Sequence, residues 1–349
     1  MALKALNIND LVAQVPIIQG GMGVGISLSG LAGAVAAEGG VGVISAAQPG
    51  FNWPGFQSNP LKANLEALAY HIRKAKETAK SGVVGVNIMC ALTNYAEYVK
   101  CAIENKADLI ISGAGLPTQL PELVKGSPIK IAPIVSSVKA ASVLLRMWDK
   151  KYQQTADLVI VEGPEAGGHL GFSPKELEDG IDFDESVCGI IQTVGQFEEK
   201  YERPIPTVFG GGVYDRADID HYMGLGCAGV QIATRFVVTE ECDADEGFKR
   251  AYLQAQKEDV TIVQSPVGMP GRALNNPFVR SLLDGAKKIT QCHRCINGCE
   301  PKKVPYCITR ALVQSAKGLT DDGLVFCGSY VDRLKEMTTV KRIMGELTE

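Results

Sequence analysis

The sequence predicts an α/β protein with a TIM (β/α)8 barrel, and two observations carry this prediction. Short runs rich in valine and isoleucine alternate with amphipathic segments along the first two thirds of the chain. Eight such runs occur, which is the number of parallel strands that closes a barrel of this kind. A hydrophobic content of 46% in 349 residues is enough for one large core.

The eight predicted strands are mostly apolar, as buried parallel strands are. In chain order they span Val15 to Gln19, Val41 to Ser45, Val83 to Met89, Leu109 to Ser112, Lys130 to Val135, Leu158 to Val161, Pro206 to Phe209 and Gly229 to Ile232. Apolar residues at three- and four-residue spacing predict helices between them, over Leu28 to Glu38, Lys62 to Lys80, Tyr95 to Asn105, Val138 to Lys151, Ser186 to Lys200 and Arg216 to Gly224.

A doubly wound sheet is the alternative fold. It is disfavoured because no strand is followed by the G-x-G-x-x-G turn that opens a helix in dinucleotide-binding folds. Gly21-Met22-Gly23-Val24-Gly25 has the wrong spacing, and Gly113-Ala114-Gly115 lacks the third glycine. Both stretches are better interpreted as tight turns at strand ends.

Three parts are expected along the chain. Residues 1–240 form the barrel, residues 241–290 are an irregular and helical segment that completes or covers it, and residues 291–349 form a C-terminal cysteine-rich extension. The aromatic loop from Gln48 to Pro60 is either a lid over the barrel mouth or a packed surface loop.

Composition and charge exclude several classes of function. A net charge of −4 without a long basic tract argues against nucleic-acid binding. Residues 1–14 contain Asp10 and lack the apolar core of a secretory signal, and the apolar stretch over residues 28–47 is interrupted by Glu38 and by glycines. We therefore expect a cytoplasmic protein that acts on a small molecule and has no membrane partner. Its ten cysteines are then thiols or metal ligands rather than a disulfide framework.

The loops after strands seven and eight predict a phosphate site, since these loops commonly hold phosphate in TIM barrels. Gly210-Gly211-Gly212 lets backbone N–H groups approach an anion, and Ala233-Thr234-Arg235 supplies a hydroxyl donor. The alternative is that the glycines only form a sharp turn. The phosphate would belong to a sugar phosphate, pyridoxal phosphate or FMN. Pyridoxal phosphate is disfavoured because no lysine immediately follows a predicted strand.

The loop after the sixth strand carries the candidate catalytic group. It reads Glu162-Gly163-Pro164-Glu165-Ala166-Gly167-Gly168-His169. A histidine between glycines at a barrel mouth can meet substrate, and an ordinary imidazole pKa of about 6.5 suits proton transfer. His71 and His221 lie in predicted helices and are interpreted as structural.

Six stretches together resemble, in order, the signatures of the nitronate monooxygenase (2-nitropropane dioxygenase-like) family, which includes the flavin-dependent enoyl-acyl-carrier-protein reductases of type II. The resemblance runs from about Pro16 to Asn276. The stretches are Pro16-Ile17-Ile18-Gln19-Gly20-Gly21-Met22, Gly85-Val86-Asn87-Ile88-Met89, Ser112-Gly113-Ala114-Gly115, the Glu162 to His169 loop, the three-glycine turn and Thr234-Arg235-Phe236.

This resemblance implies a TIM barrel that binds FMN non-covalently, with His169 facing substrate above the flavin. The implied cofactor residues are Gly21 and Met22 behind the isoalloxazine ring, Asn87 at its polar edge, Glu162, Ala166, Gly167 and Gly168 beside the cofactor, Gln231 near the ring system, and Gly211, Gly212, Ala233 and Thr234 around the phosphate. The barrel surfaces of this family also imply a homodimer.

Two chemistries on one flavin remain open. In a nitronate monooxygenase, His169 binds the anionic nitronate or takes the α-proton of a nitroalkane, and the substrate itself reduces FMN before O2 completes the oxidation. In an enoyl reductase, NADH or NADPH reduces FMN and His169 helps to protonate the α-carbon of an enoyl thioester.

Local cues divide between these chemistries. Gln19-Gly20-Gly21-Met22 and Gly271-Arg272-Ala273-Leu274-Asn275-Asn276 resemble the reductases, whereas Gly163-Pro164-Glu165 and the extended C-terminus resemble the monooxygenases, which we favour. A flavin-binding sensor or carrier without turnover is disfavoured by the histidine at the barrel mouth.

The C-terminal segment concentrates four cysteines, Cys292, Cys295, Cys299 and Cys307, with the spacing C-x-x-C-x-x-x-C-x7-C. Thiolates at such spacings can converge on zinc or on an iron–sulfur cluster, and His293 can replace one of them. The family resemblance does not require this segment. The prediction is a metal site, and the alternative is a set of reduced thiols or one disulfide.

Overall fold

The computed structural model describes residues 3–349, and its centre is a closed barrel of eight parallel strands. The strands of the molecule are β1 (Leu6–Ile8), β2 (Leu11–Ala13), β3 (Ile17–Gln19), β4 (Val41–Ser45), β5 (Val83–Asn87), β6 (Leu109–Ser112), β7 (Lys130–Val135), β8 (Val159–Glu162), β9 (Gly168–His169), β10 (Thr207–Gly210), β11 (Gly229–Ile232), β12 (Val260–Gln264) and β13 (Pro270–Leu274). Around the barrel their order is β10-β11-β3-β4-β5-β6-β7-β8. The TIM barrel and all eight predicted strands are confirmed.

The helices are α1 (Ser29–Ala37), α2 (Pro60–Ala79), α3 (Tyr95–Glu104), α4 (Leu120–Leu123), α5 (Val138–Tyr152), α6 (Pro174–Asp179), α7 (Asp184–Tyr201), α8 (Arg216–Gly224), α9 (Thr234–Val237), α10 (Glu246–Gln254), α11 (Pro277–Ser281), α12 (Ile308–Ala316) and α13 (Val340–Thr348). The six helices predicted from the sequence are confirmed. Their starts follow local chemistry: Asn59 caps α2 ahead of Pro60, and Ser137 caps α5.

A short antiparallel pair, β1 and β2, lies against the amino-terminal ends of the barrel strands. Leu6, Ile8 and Ala13 are buried in the same apolar cluster as the inward-facing Ile18 and Val41. This pair therefore closes one end of the barrel interior. The functional groups are left at the opposite end, where the strands reach their carboxyl termini.

The chain beyond β11 returns repeatedly to the barrel. The hairpin β12–β13 pairs with β9, with Gly271 opposite His169, in a small antiparallel sheet. The last helix, α13, packs against α1 and α8, and the Arg216 guanidinium donates to the Thr348 carbonyl over 2.9 Å. The third part expected from the sequence, residues 291–349, thus ends in a helix of the barrel's outer layer. The boundaries at residues 240 and 290 remain a prediction.

The aromatic loop before α2 is packed and does not cover the cavity at the carboxyl ends of the barrel strands. Phe56 is buried and stacks on His293 with 5.2 Å between ring centroids. Trp53 contacts Tyr70 at 5.4 Å. The lining of the cavity contains neither ring. Of the two interpretations left open for this loop, the structure supports the packed surface loop.

No helix within residues 3–349 has the length and the apolar character that a bilayer crossing requires.

Candidate active site

One cavity opens at the carboxyl ends of the barrel strands, and all the cofactor residues implied by the resemblance line it together with His169. These residues are Gly21, Met22, Asn87, Glu162, Ala166, Gly167, Gly168, Gly211, Gly212, Gln231, Ala233 and Thr234. They come from five different strand ends, so the barrel closure is what brings them together. The structure shows their shared location, and their individual roles remain predictions.

Glycines in this cavity stand where a side chain would collide with the backbone or with a neighbour. A Cβ atom on Gly21 would lie 2.5 Å from the Asn87 Cβ, and one on Gly167 would lie 2.6 Å from the Cys327 carbonyl carbon. Gly212 has φ of +90°, and a Cβ there would collide with the Glu165 carboxylate. The absence of side chains keeps the turn after β10 open to an anion's approach.

Several polar groups of the cavity have no protein partner. The Gln231 side-chain oxygen is buried and makes no hydrogen bond within the described chain. The Glu162 carboxyl likewise has no hydrogen-bonding or ionic partner among residues 3–349, and burial raises its pKa to about 8. Buried polar groups are normally satisfied, so the buried Gln231 oxygen indicates a ligand. The partly exposed Glu162 side chain lines the same cavity. Open glycine turns and unsatisfied groups fit a flavin mononucleotide with a phosphate and a polar ring edge.

His169 is held by three contacts from the C-terminal half of the chain. Its backbone lies in β9, next to β13. Its Nε2 atom lies 2.7 Å from the Ser265 hydroxyl oxygen. Its ring packs edge-on against Phe326 with 5.0 Å between ring centroids. Burial lowers the His169 pKa to about 4. The imidazole pKa of about 6.5 expected from the sequence is therefore wrong for His169. Burial removes water from the charged imidazolium and so favours the neutral form.

The groups that support the His169 loop were not apparent from the sequence. Arg272, which is buried in β13, donates from Nη1 to the carbonyl oxygens of Pro164 and Ala166. The Tyr330 hydroxyl donates to the Glu165 carboxylate over 2.8 Å. Arg272 lies in the stretch Gly271 to Asn276, which resembles the reductases of the family. The sequence therefore indicated this stretch, but it did not indicate that Arg272 supports the loop.

A second wall of the cavity comes from residues far along the chain. Leu312, Leu324 and the stretch 326–330 line it beside His169. The stretch is joined to β13 by hydrogen bonds from Leu274 N to Val325 O (2.8 Å) and from Cys327 N to Arg272 O (3.2 Å). No local pattern in the sequence indicated that the C-terminal part of the chain would complete the site.

The four clustered cysteines line a separate cavity. Cys292, Cys295, Cys299 and Cys307 all contribute to its surface, with His293. Burial raises the pKa of Cys295 to about 11, with smaller contributions from the neighbouring Cys307 and Cys299. All ten cysteines lie within the described residues and are unpaired. In that same part of the chain, no group of three or more His, Cys, Asp or Glu side chains is arranged to hold a metal ion.

Both the sequence and the fold are similar to those of known proteins. A probable nitronate monooxygenase of Staphylococcus haemolyticus is 26% identical over 294 residues, which covers 78% of each chain. A hydroxy-methyl-oxo-octahydroindene-carboxyl-CoA dehydrogenase of Rhodococcus jostii is 27% identical over 269 residues, or 77% of this chain. This chain spans just under two thirds, 65%, of the length of that relative.

The fold is also similar to a solved structure. FabK from Thermotoga maritima matches with a TM-score of 0.72 and 25% identity, covering 95% of this chain and 91% of the other. The sequence model of the family described as nitronate monooxygenase matches residues 6–349. The chain therefore belongs to the nitronate monooxygenase family of flavin-dependent oxidoreductases.

Proposed function

We propose that the protein is an FMN-dependent oxidoreductase that oxidises alkyl nitronates with O2, with His169 on the substrate side of the flavin. The observation that carries this proposal is the single cavity that joins the glycine turn after β10 and the Ala233-Thr234 turn after β11 to His169. Membership of the family and the likeness to a probable nitronate monooxygenase support it.

The residues that line the cavity can be assigned to the phosphate and to the ring of FMN. Gly211, Gly212 and Thr234 would receive the phosphate, because they line the cavity at the carboxyl ends of β10 and β11. Asn87 and the unsatisfied Gln231 oxygen would meet the polar edge of the ring. Bound FMN supplies a ring that accepts electrons from substrate and passes them to O2.

The protein groups bind and orient the substrate. With a pKa lowered to about 4, the His169 imidazole is neutral at pH 7. It can donate a hydrogen bond to a substrate oxygen, or its unprotonated nitrogen can accept the α-carbon proton. Met269, Leu324 and Phe326 form an apolar wall beside it. Such a wall excludes water and strengthens each polar contact inside the cavity.

A second candidate function is an NADH- or NADPH-dependent reductase of enoyl thioesters on the same FMN site. The likeness to FabK favours it, since 95% of the chain is covered at 25% identity. The apolar wall of Leu312, Leu324 and Phe326 suits an acyl chain. The Rhodococcus jostii relative is named for a carboxyl-CoA substrate, which points to the same chemical class.

One anaerobic experiment separates the two functions. The purified oxidised protein is mixed in separate cuvettes with propionate 3-nitronate, NADH and NADPH, and the flavin absorbance is recorded. Reduction by the nitronate alone supports the monooxygenase. Bleaching only by a nicotinamide supports the reductase. A colourless protein that does not take up added FMN contradicts both.

Metal binding at Cys292, Cys295, Cys299 and Cys307 is kept as a separate proposal. Their spacing and their shared cavity support it, whereas the present arrangement of their side chains does not. Iron and zinc analysis of protein purified without oxygen tests it. Flavin bands alone, with neither iron nor zinc, would leave the four residues as reduced thiols.

A further inference from the structure

The hydroxyl of Ser265 is the only hydrogen-bond partner of the His169 ring within residues 3–349. Ser265 lies just after β12, 96 residues from His169 in sequence, and is 2% exposed. The 2.7 Å contact is made to Nε2, and the other ring nitrogen, Nδ1, has no protein partner in the described chain. One nitrogen is therefore occupied by the protein and the other is left for a ligand.

The direction of this hydrogen bond follows from the other contacts of Ser265. Its Oγ atom already accepts from the Val267 N–H over 3.3 Å. Its single hydroxyl hydrogen has no other acceptor among the described residues, and the group is too buried to turn to water. The hydroxyl is satisfied when it donates to Nε2. Nε2 is then unprotonated, and the single N–H of the neutral imidazole is on Nδ1.

From this arrangement we infer that Ser265 is a positioning residue that fixes the Nδ1–H tautomer of His169, so that the imidazole presents a hydrogen-bond donor to an anionic or carbonyl oxygen of the substrate. The inference rests on the proposed function and deepens it. An Nδ1–H group cannot remove an α-proton, so the ligand it suits is a preformed nitronate rather than a neutral nitroalkane.

The ring is held in this role from two sides. Phe326 packs edge-on against it at 5.0 Å, and β9 is paired with β13, so both the backbone and the ring plane are supported. Burial also lowers the His169 pKa to about 4, which keeps the ring neutral. A neutral imidazole with one nitrogen engaged needs no proton transfer before it binds substrate.

The tautomer is measured directly by 15N NMR of histidine-labelled protein as purified, near pH 7. The chain has four histidines, and the His169→Gln variant identifies the resonances of His169. We expect a protonated Nδ1 and a bare Nε2 in the wild type. A protonated Nε2 overturns the inference, and this result does not depend on whether any Ser265 variant folds.

Affinity provides the second test. Dissociation constants for propionate 3-nitronate and for 3-nitropropionate are measured without oxygen for the wild type, Ser265→Ala, Ser265→Thr and the control Thr261→Ala, which removes a hydroxyl from the same hairpin outside the cavity lining. Ser265→Ala is expected to mix the tautomers and to weaken nitronate binding at least tenfold more than nitroalkane binding. Ser265→Thr should restore both properties, and Thr261→Ala should match the wild type.

The two proposals fail in different ways. Unchanged tautomer and nitronate affinity in Ser265→Ala overturn the role of Ser265, even if the protein oxidises nitronates. A wild type that shows the Nδ1–H tautomer but neither binds nitronate nor is reduced by it overturns the nitronate substrate and leaves the tautomer assignment standing.

Discussion

His169 and Glu162 lie in the same cavity, and burial shifts their pKa values in opposite directions. The pKa of His169 falls to about 4 and that of Glu162 rises to about 8. Desolvation disfavours the charged form of each group. The protonated His169 ring therefore loses its proton more readily, and the Glu162 carboxyl keeps its proton to a higher pH. At pH 7 both side chains are neutral in the FMN-free protein. Neither side chain then places a charge beside the part of the cavity assigned to the flavin ring and the substrate.

The raised pKa of Glu162 makes the stability of the FMN-free protein dependent on pH. The unfolded carboxyl ionises above about 4.5, whereas the folded one keeps its proton up to about 8, so the free energy of unfolding falls as pH rises between these values. Glu162→Gln removes this titration. The Tm of the variant minus that of the wild type should therefore increase from pH 5 to pH 9. A constant difference would show that Glu162 ionises normally.

Replacing His169 tests its role at the substrate. His169→Ala should lower kcat/KM by roughly 10²–10³-fold, the loss typical of a removed oxyanion donor, while FMN stays bound. His221→Ala is the matched control, because that ring is half-exposed and pairs with Asp184 at 2.9 Å. Its turnover should equal the wild type. Full activity in His169→Ala would remove the proposed role.

At the scale of elements, the small sheet β12-β13-β9 connects the C-terminal half of the chain to the loop after β8. Arg272 in β13 satisfies the carbonyls of Pro164 and Ala166. The glycine turn after β10 approaches the same loop, since Gly212 lies against Glu165. The loop that carries His169 is therefore held between a barrel strand and a hairpin added outside the barrel.

Loss of the Arg272 side chain should destabilise this connection. Arg272→Met leaves two carbonyl oxygens without their donor, and each buried unsatisfied group costs about 1–3 kcal/mol. Denaturant unfolding should show this loss together with weaker FMN retention. Arg280→Met, which changes an exposed arginine in α11, is the control and should stay within about 0.5 kcal/mol of the wild type. Equal stability of the two variants would contradict the bracing role of Arg272.

The turn after β10 can be tested with a matched pair of glycines. Gly212 and Gly126 both have positive φ, of +90° and +80°, but only Gly212 has a neighbour that an added Cβ would strike. Both alanine variants should lose stability through backbone strain. Only Gly212→Ala should weaken FMN binding, by tenfold or more in Kd measured by flavin fluorescence. Similar FMN affinity in the two variants would argue that the turn does not hold the phosphate.

At the scale of the whole molecule, the cavity is shared by the barrel and the chain that follows it. The stretch 326–330 lines the same cavity as the turn at residues 211–212, although more than 100 residues separate them. The last helix, α13, then packs on α1 and α8. A ligand that fills the cavity is therefore expected to contact both parts of the chain.

Added FMN should consequently protect both parts together. A ligand at 100 times its Kd stabilises the folded state by about 2.7 kcal/mol. Hydrogen exchange of FMN-free protein should slow on FMN addition at residues 210–213 and at residues 326–330. Residues 143–151, on the outer helix α5, serve as the internal reference. Protection confined to the barrel turns would show that the C-terminal stretch does not contact the cofactor.

The sequence by itself determined the eight barrel strands, six of the helices, the glycine turns and the position of His169 in the loop after the sixth predicted strand. These features depend on apolar periodicity and turn chemistry within a few neighbouring residues. Only the tertiary structure decided that Ser265 and Phe326 hold the His169 ring, that Arg272 braces its loop, and that residues 326–330 complete the cavity. It also set the pKa values of His169 and Glu162. Each of these depends on burial or on contacts between residues distant in the chain, and no local pattern records such contacts.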